Sequence, residues 1–328
     1  MENEKKVYDK LLVTSAPHIV SSIDTQKVMA NVLVAMAPAL AVGMYVFGMR
    51  VIALTLVCVI ASVGFEWIYN KFMKKQQTAG DLSAAVTGVL IAFNVPSSLP
   101  LWIAIIGCFV AIIIVKQLFG GMGRNFVNPA ITARIVLFVS FATQMTTWPL
   151  PSMAPVTDAT TGATPLGLWA ADKSVDTMSA VTNNEMFLGF IGGCVGEVSA
   201  FALLVGGIYL IWRQIISPLI PACFIGTVFL FALATSGSFD MAIFHVFAGG
   251  VMLGAFFMAT DYVTTPMLPI GKIIFGVGCG ILTMVIRIWG AYPEGVSFSI
   301  LLMNIVTPLI DKFTIEKLYG GVKKNEKK

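Results

Sequence analysis

Long apolar runs separated by short polar or charged breaks dominate the chain. A membrane-crossing helix needs about 20 mostly apolar residues, with a range of roughly 17–25. The best candidates are Val28–Gly48, Val51–Tyr69, Leu101–Phe119, Gly196–Trp212, Ile215–Ala234, Met241–Thr260, Lys272–Gly290 and Val296–Leu309. Two further runs, Ser83–Asn94 and Asn128–Phe141, fall short, and proline borders both, Pro96 after the first and Pro129 opening the second. The pattern predicts an all-α integral membrane protein with about ten transmembrane elements, two of them truncated.

The connections predict orientation. Lys71, Lys74, Lys75, Lys116, Arg124, Arg213 and Lys272 fall on one side, together with the lysine-rich tail. The other side holds little basic charge beyond Arg50 and Lys173 and carries Asp158, Asp172, Asp176, Glu185, Asp240 and Glu294. Basic loops stay cytoplasmic, so both termini are expected there, in a bacterial cytoplasmic membrane crossed many times. Trp67, Trp102, Trp212 and Trp289 at run ends fit an aromatic belt. The expected organisation is a cytoplasmic segment 1–27, a membrane repeat 28–141, an extracytoplasmic loop 142–185, a second repeat 186–311 and a cytoplasmic tail 312–328. Loops longer than about 12–15 residues are usually functional or disordered, so 142–185 calls for a role.

The repeat rests on two similarities. Asp81-Leu-Ser-Ala84 and Glu197-Val-Ser-Ala200 each open an apolar run, and a Gly-rich turn follows in each half, at Gly120–Pro129 and Gly249–Pro266. Five elements per half give the copies inverted orientation. Broken segments at matching positions of inverted repeats point to a midplane site.

Composition supports the membrane reading and removes other classes. The chain of 328 residues is 57% hydrophobic and only 12% charged, against about 25% charged in soluble domains, and its mean hydropathy is +0.86. A secreted enzyme, a disordered chain and a disulfide scaffold are excluded. The net charge of +4 comes from short clusters between apolar runs, a topology signal with no nucleic-acid partner implied. The five cysteines lie inside apolar runs without C-x-x-C spacing, so no zinc or iron–sulfur motif is present.

Charged groups inside spans cost roughly 2.5–3.5 kcal/mol each and are functional candidates by default. They are Asp81, Lys116, Arg134, Glu197, Asp261 and Arg287. Asp81, Glu197 and Asp261 are placed near the cytoplasmic side, where carboxylates can admit a hard cation or cap helix starts. Arg134 and Arg287 suit an ion pair or a carbonyl cap as well as a ligand. In Gly120-Gly-Met-Gly-Arg-Asn-Phe-Val-Asn-Pro129, Gly121 and Gly123 allow a tight backbone approach, Asn125 and Asn128 present amides, and Pro129 starts a helix. Such a turn can read a heterocycle or serve only as a structural re-entrant turn. On these residues alone a channel, a transporter and a redox subunit all remain open.

The loop reads Asp158-Ala-Thr-Thr-Gly-Ala-Thr164. It resembles the D-x-x-[S/T]-G-A-T flavinylation motif, with Asp158, Thr161, Gly162 and Ala163 filling it and Thr164 as acceptor of FMN through a phosphoester. Gly120–Ala130, Met258-Ala-Thr-Asp-Tyr-Val-Thr264, Ala291-Tyr-Pro-Glu-Gly295 and Ile300–Asp311 follow in order. Together these motifs resemble the family shared by the D-type subunit of the Rnf ion-translocating ferredoxin:NAD⁺ oxidoreductase and the B-type subunit of the Na⁺-translocating NADH:quinone reductase. The short N-terminus is closer to the Rnf pattern. Tyr262 and Thr264 depart from the usual Pro and Ser, and Ala159 from a frequent Gly.

The resemblance implies a flavin-carrying membrane subunit that couples electron flow to Na⁺ or H⁺ export. It implies covalent FMN on an extracytoplasmic Thr164 and a non-covalent riboflavin near Asn125, Asn128, Gly121 and Gly123. The carboxylates in the spans, Asp261, Asp81 and Glu197, form a candidate cation path. NAD⁺ and iron–sulfur sites are then expected on other subunits, among them a second FMN-bearing one, and an FMN transferase is expected to mature the chain. The alternative is a flavin-free inverted-repeat transporter or channel.

Overall fold

The computed structural model describes residues 24–151, 161–172, 182–189, 191–290, 292 and 294–314. Asp158, most of the N-terminal segment and the end of the tail lie outside the described residues. The Asp24 carboxylate accepts from the Thr25 N–H at 2.7 Å and caps α1 (Thr25–Phe47), which Gly48 closes with φ +76°. α2 (Arg50–Phe72) follows at once. Each has 23 residues, about 35 Å at 1.5 Å per residue, enough to cross a hydrocarbon core.

The next helices are shorter. α3 (Ser83–Phe93) has 11 residues, of which all but Thr87 are buried. It is apolar on every face because protein surrounds it. α4 (Leu101–Phe109) continues as a π-helical stretch, Val110–Gln117. α5 (Pro129–Ser140) starts as the sequence predicts, with Pro129 in its first turn and Asn128 capping two N–H groups.

The segment read as a polar loop is partly structured. It holds α6 (Ala142–Met145), a two-stranded pairing of β1 (Trp148–Pro149) with β2 (Thr161–Gly162), α7 (Pro165–Asp172) and α8 (Asn183–Leu188). Leu166 and Trp169 of α7 are buried with Met186, Ile191, Met241 and Phe244. That apolar anchor holds the loop on the helices beneath it.

The second half comprises α9 (Ala200–Trp212), α10 (Leu219–Ser236), α11 (Phe239–Phe247), α12 (Val251–Leu253, continued by a π-helical stretch Gly254–Met258), α13 (Pro269–Trp289) and α14 (Val296–Thr314). Among the described residues, five helices are long and apolar enough to cross a membrane, or six if the bent pair of α11 with α12 is one span. The other apolar runs form shorter helices. The run Met241–Thr260 bends by 63° at its break, where Gly249, at the start of the Gly-rich turn, takes φ +67°. One sequence expectation is corrected. The run from Gly196 becomes helical only at Ala200, where Ser199 caps α9.

Close packing joins the halves. α1 lies along α9, α2 against α3 and α4, and α13 against α10 and α14. A Cβ added at Gly206 would sit 2.1 Å from the Ala35 carbonyl oxygen, so α9 reaches the α1 backbone only through glycine. The buried turn after α3 pairs with the strand-like segment before α9. Gly196 N–H donates to the Phe93 carbonyl at 2.9 Å and Val195 N–H to the Val95 carbonyl at 3.3 Å. Backbone without water must be satisfied internally, and here each half satisfies the other.

Candidate functional site

Two cavities share one wall, α5. The first, about 430 Å³, lies at the start of α5 and is lined by Asn125, Asn128, Pro129, Ala130, Lys116 and Asp261 among others. The second, about 400 Å³, lies further along and is lined by Arg134, Phe138, Trp148, Thr164, Tyr292 and Glu294 among others. Ala130 and Arg134, facing different cavities, are four residues apart, about 6 Å of helix rise. The turns that bring Asp261 and Glu294 to these cavities leave opposite ends of α13, whose 21 residues span about 31 Å.

In the first cavity, Asn128 is committed to backbone groups. Its Oδ1 accepts from Ala130 N–H at 3.0 Å and Ile131 N–H at 3.3 Å, and its Nδ2 donates to the Met258 carbonyl at 3.1 Å. It lines the space while pinning α5 to the second half. Asn125 Nδ2 donates to the Val127 carbonyl at 3.1 Å, and its amide also bonds Asp261. The half-buried Asp261 accepts from Thr264 Oγ1 at 3.2 Å. Burial pushes its carboxyl above the ordinary range, against those hydrogen bonds. Gly123 faces the cavity and Gly121 does not, and both hold positive φ, at +86° and +94°.

Beside this cavity is a buried pair. Lys116 Nζ lies 3.0 Å from both Glu66 carboxylate oxygens and 2.8 Å from Ser83 Oγ. Lys116 is 4% and Glu66 0% exposed, which corrects the expectation that Lys116 belongs with the basic connections. Glu66 escapes the sequence reading, although an acid inside the run Val51–Tyr69 is itself the signal. Asp81 sits in a 3₁₀ turn, half-buried and outside the cavity lining.

The second cavity has an aromatic wall. Tyr292 and Phe298 stack with centroids 6.0 Å apart, and Phe138 meets Tyr292 edge-on at 5.0 Å. Gly162, Ala163 and Thr164 line it, whereas Thr161 is exposed and turned away. Thr164 caps α7. Its Oγ1 accepts from Gly167 N–H at 3.1 Å and its carbonyl from Leu168 N–H at 2.9 Å.

Arg134 forms the polar floor of this cavity. Its guanidinium donates to Asn94 Oδ1 at 2.9 Å, Glu197 Oε1 at 2.9 Å and Cys194 Sγ at 3.5 Å, and it also pairs with Glu294. Glu197 therefore sits with Arg134 and Glu294 at the Thr164 end, and shares a small recess with Thr164. The structure does not bring Glu197 together with Asp261, which lines the first cavity. Cys194, Glu197 and Glu294 bring ligand atoms within 4.8 Å of one another, but the Arg134 guanidinium already occupies all three. Arg287 caps carbonyls, donating to His245 and Ala248.

The sequence profile of the NQR2, RnfD, RnfE family matches residues 12–320. The chain is 50% identical over 315 residues to the D-type subunit of the Na⁺-translocating ferredoxin:NAD⁺ oxidoreductase complex of Acetobacterium woodii, covering 95% of this chain and 96% of that one. It is 42% identical to the D-type subunit of the proton-translocating ferredoxin:NAD⁺ oxidoreductase complex of Clostridium ljungdahlii, over 94% and 96% of the two chains. It is also 37% identical to the D-type subunit of the ion-translocating oxidoreductase complex of Stutzerimonas stutzeri, over 92% and 93%.

Proposed function

We propose, for a chain that belongs to the NQR2, RnfD, RnfE family, that it is the flavin-carrying membrane subunit of an ion-pumping ferredoxin:NAD⁺ oxidoreductase. The observation that carries this reading is Thr164, a helix-capping hydroxyl on the rim of an aromatic cavity one helical turn along α5 from a second cavity. Both volumes fall in the usual range for small-molecule sites, about 300–1,000 Å³. A flavin supplies one- and two-electron transfer when bound.

The residues at Thr164 fit an FMN phosphoester. On the transferase, Oγ1 would displace a nucleoside monophosphate from the phosphorus of a flavin dinucleotide donor and lose its proton to solvent, and Oγ1 can still accept from Gly167. The phosphate then lies at the N-terminus of α7, where free N–H groups and the helix dipole favour an anion. Phe138, Tyr292 and Phe298 provide ring faces and exclude water, while Glu294, held by Arg134, offers an acceptor at the inner end. The first cavity fits a second, non-covalent riboflavin through its mixture of apolar walls with Asn, Ser and Thr groups.

In this reading the apolar helices form ten membrane elements in two inverted repeats, with basic termini in the cytoplasm and the Thr164 end outside. NAD⁺ and iron–sulfur centres belong to partner subunits, a second FMN-bearing subunit is among them, and an FMN transferase matures Thr164. Ion export, of Na⁺ or H⁺, draws on Asp261 and Asp81 near the first cavity.

The test is flavin fluorescence of the denatured polypeptide on a gel, with peptide mass spectrometry. Wild type and Thr164→Ser should fluoresce, with FMN mass on the 142–185 peptide, and Thr164→Ala should be dark. A dark wild-type band from a host that has the transferase would instead support the flavin-free transporter.

A further inference from the structure

Lys116 is the single basic side chain lining the first cavity among the described residues. Its ammonium has three protons, and its contacts are the two Glu66 oxygens and Ser83 Oγ, at 3.0, 3.0 and 2.8 Å. No donor is left for an occupant of the cavity. Glu66 is fixed in turn, since Gln117 Nε2 donates to its Oε1 at 3.0 Å and Thr78 Oγ1 at 2.8 Å. Asn70 Nδ2 donates to that threonine at 3.0 Å. A carboxylate held by this many donors stays in place against Lys116.

The carboxylates lining the cavity are Asp24 and Asp261. The cavity thus offers carbonyl, amide and hydroxyl partners, two acids, and one cation already neutralised. A phosphate monoester, carrying about −1.5 to −2 charges at neutral pH, meets no free donor with positive charge and two like charges. A neutral flavin with a polyol chain meets neither obstacle.

We infer that Glu66 is a specificity-determining residue of the first cavity, saturating Lys116 so that the site takes a dephosphorylated flavin and rejects FMN. This rests on reading that cavity as a flavin site. Rejection here works by denying the competitor a partner, with unpaired charge as the repulsive element.

The experiment uses the full chain purified in detergent and stripped of non-covalent flavin, titrated separately with riboflavin and FMN. Wild type should prefer riboflavin by about tenfold or more. Inorganic phosphate should not compete. Glu66→Gln frees Lys116 and should cut the preference at least several-fold, with phosphate now competing against FMN. Glu66→Gln combined with Lys116→Met removes both charges and should restore the wild-type preference. The double variant is neutral, so it still decides the matter if Glu66→Gln alone does not fold: a double variant that loses the preference overturns the inference. A folded Glu66→Gln chain with unchanged preference also overturns it. Equal wild-type binding of both flavins overturns the role of Glu66 while leaving the cavity a flavin site. Binding of neither overturns the flavin reading of the cavity as well.

Discussion

Arg134 and Glu197 stand 2.9 Å apart, each 6% exposed, and join a helix of the first half to the segment that opens the second. The pair closes the inner end of the Thr164 cavity, and Glu294 adds a second carboxylate to the same guanidinium. Among the described residues neither acid makes a salt bridge to any other cation, so in a low-dielectric interior this arginine holds the two halves in register.

Removing that arginine should be costly. Arg134→Met leaves Glu197 and Glu294 facing each other without their ion-pair partner, a change worth about 3–5 kcal/mol when a buried pair is broken. Arg134→Lys keeps charge but loses the planar fork that serves several acceptors at once, and should fall between wild type and Met. Adding Glu197→Gln to Arg134→Met should recover part of the loss. Apparent melting temperatures in detergent test the ranking, and a Met variant as stable as wild type would remove the pair from the account of stability.

Thr161 and Thr164 separate by geometry as well as by motif. Thr161 is exposed on β2 and lines neither cavity, whereas Thr164 both caps α7 and faces the aromatic wall. Thr161→Ala should retain covalent flavin, at lower yield if the transferase contacts it. Thr164→Ala should lose the flavin and about 1 kcal/mol of local helix stability from the missing cap. Loss of flavin in Thr161→Ala with retention in Thr164→Ala would move the attachment site.

The helices and much of the Asn125 turn are legible in the sequence, because apolar runs and the Asn128-Pro129 start are local signals. The Gly-rich turn at Gly249 is legible as well, but its angle is not, and the anchoring of α7 depends on burial of Leu166 and Trp169 against distant residues. The pairing of Glu197 is not legible for the same reason. Its partner Arg134 is 63 residues away, a relationship that periodicity cannot express. Lys116 is singled out in the sequence as a charge inside a span, Glu66 is missed although it too lies inside one, and their meeting requires the fold.

The α1–α9 contact predicts a contrast between two glycines. Gly206→Ala would drive a methyl into the Ala35 carbonyl region, so the helices must separate, at about 1–3 kcal/mol. Gly226 on α10 has nothing within 4 Å of an added Cβ, so Gly226→Ala should be neutral or stabilising by up to about 1 kcal/mol through helix propensity. Thermal denaturation of both variants side by side checks the pair. Equal effects would mean that the close approach of α1 and α9 is not maintained in the membrane-extracted protein.

Asp261 allows structure and ion coupling to be tested apart. Burial raises its carboxyl pKa above the ordinary 3.8, so the folded state binds that proton more tightly than the unfolded state. Stability is then lost as pH rises from about the unfolded value through the raised native value, and stays reduced above it. Asp261→Asn removes the titration while keeping size and hydrogen bonding. Its stability relative to wild type should therefore climb across that window and remain level or higher at neutral pH. Ion coupling should respond in the opposite sense, because the variant has no charge with which to attract a cation at the first cavity. Relatives named for Na⁺ and for protons both cover more than nine-tenths of this chain, so activity of the assembled complex should be titrated against Na⁺ at fixed pH and against pH with Na⁺ depleted. A variant at least as stable as wild type with a shifted cation dependence supports an ion-path role. An unchanged rate and unchanged cation dependence would return Asp261 to a partner of Asn125 and Thr264 that shapes the turn.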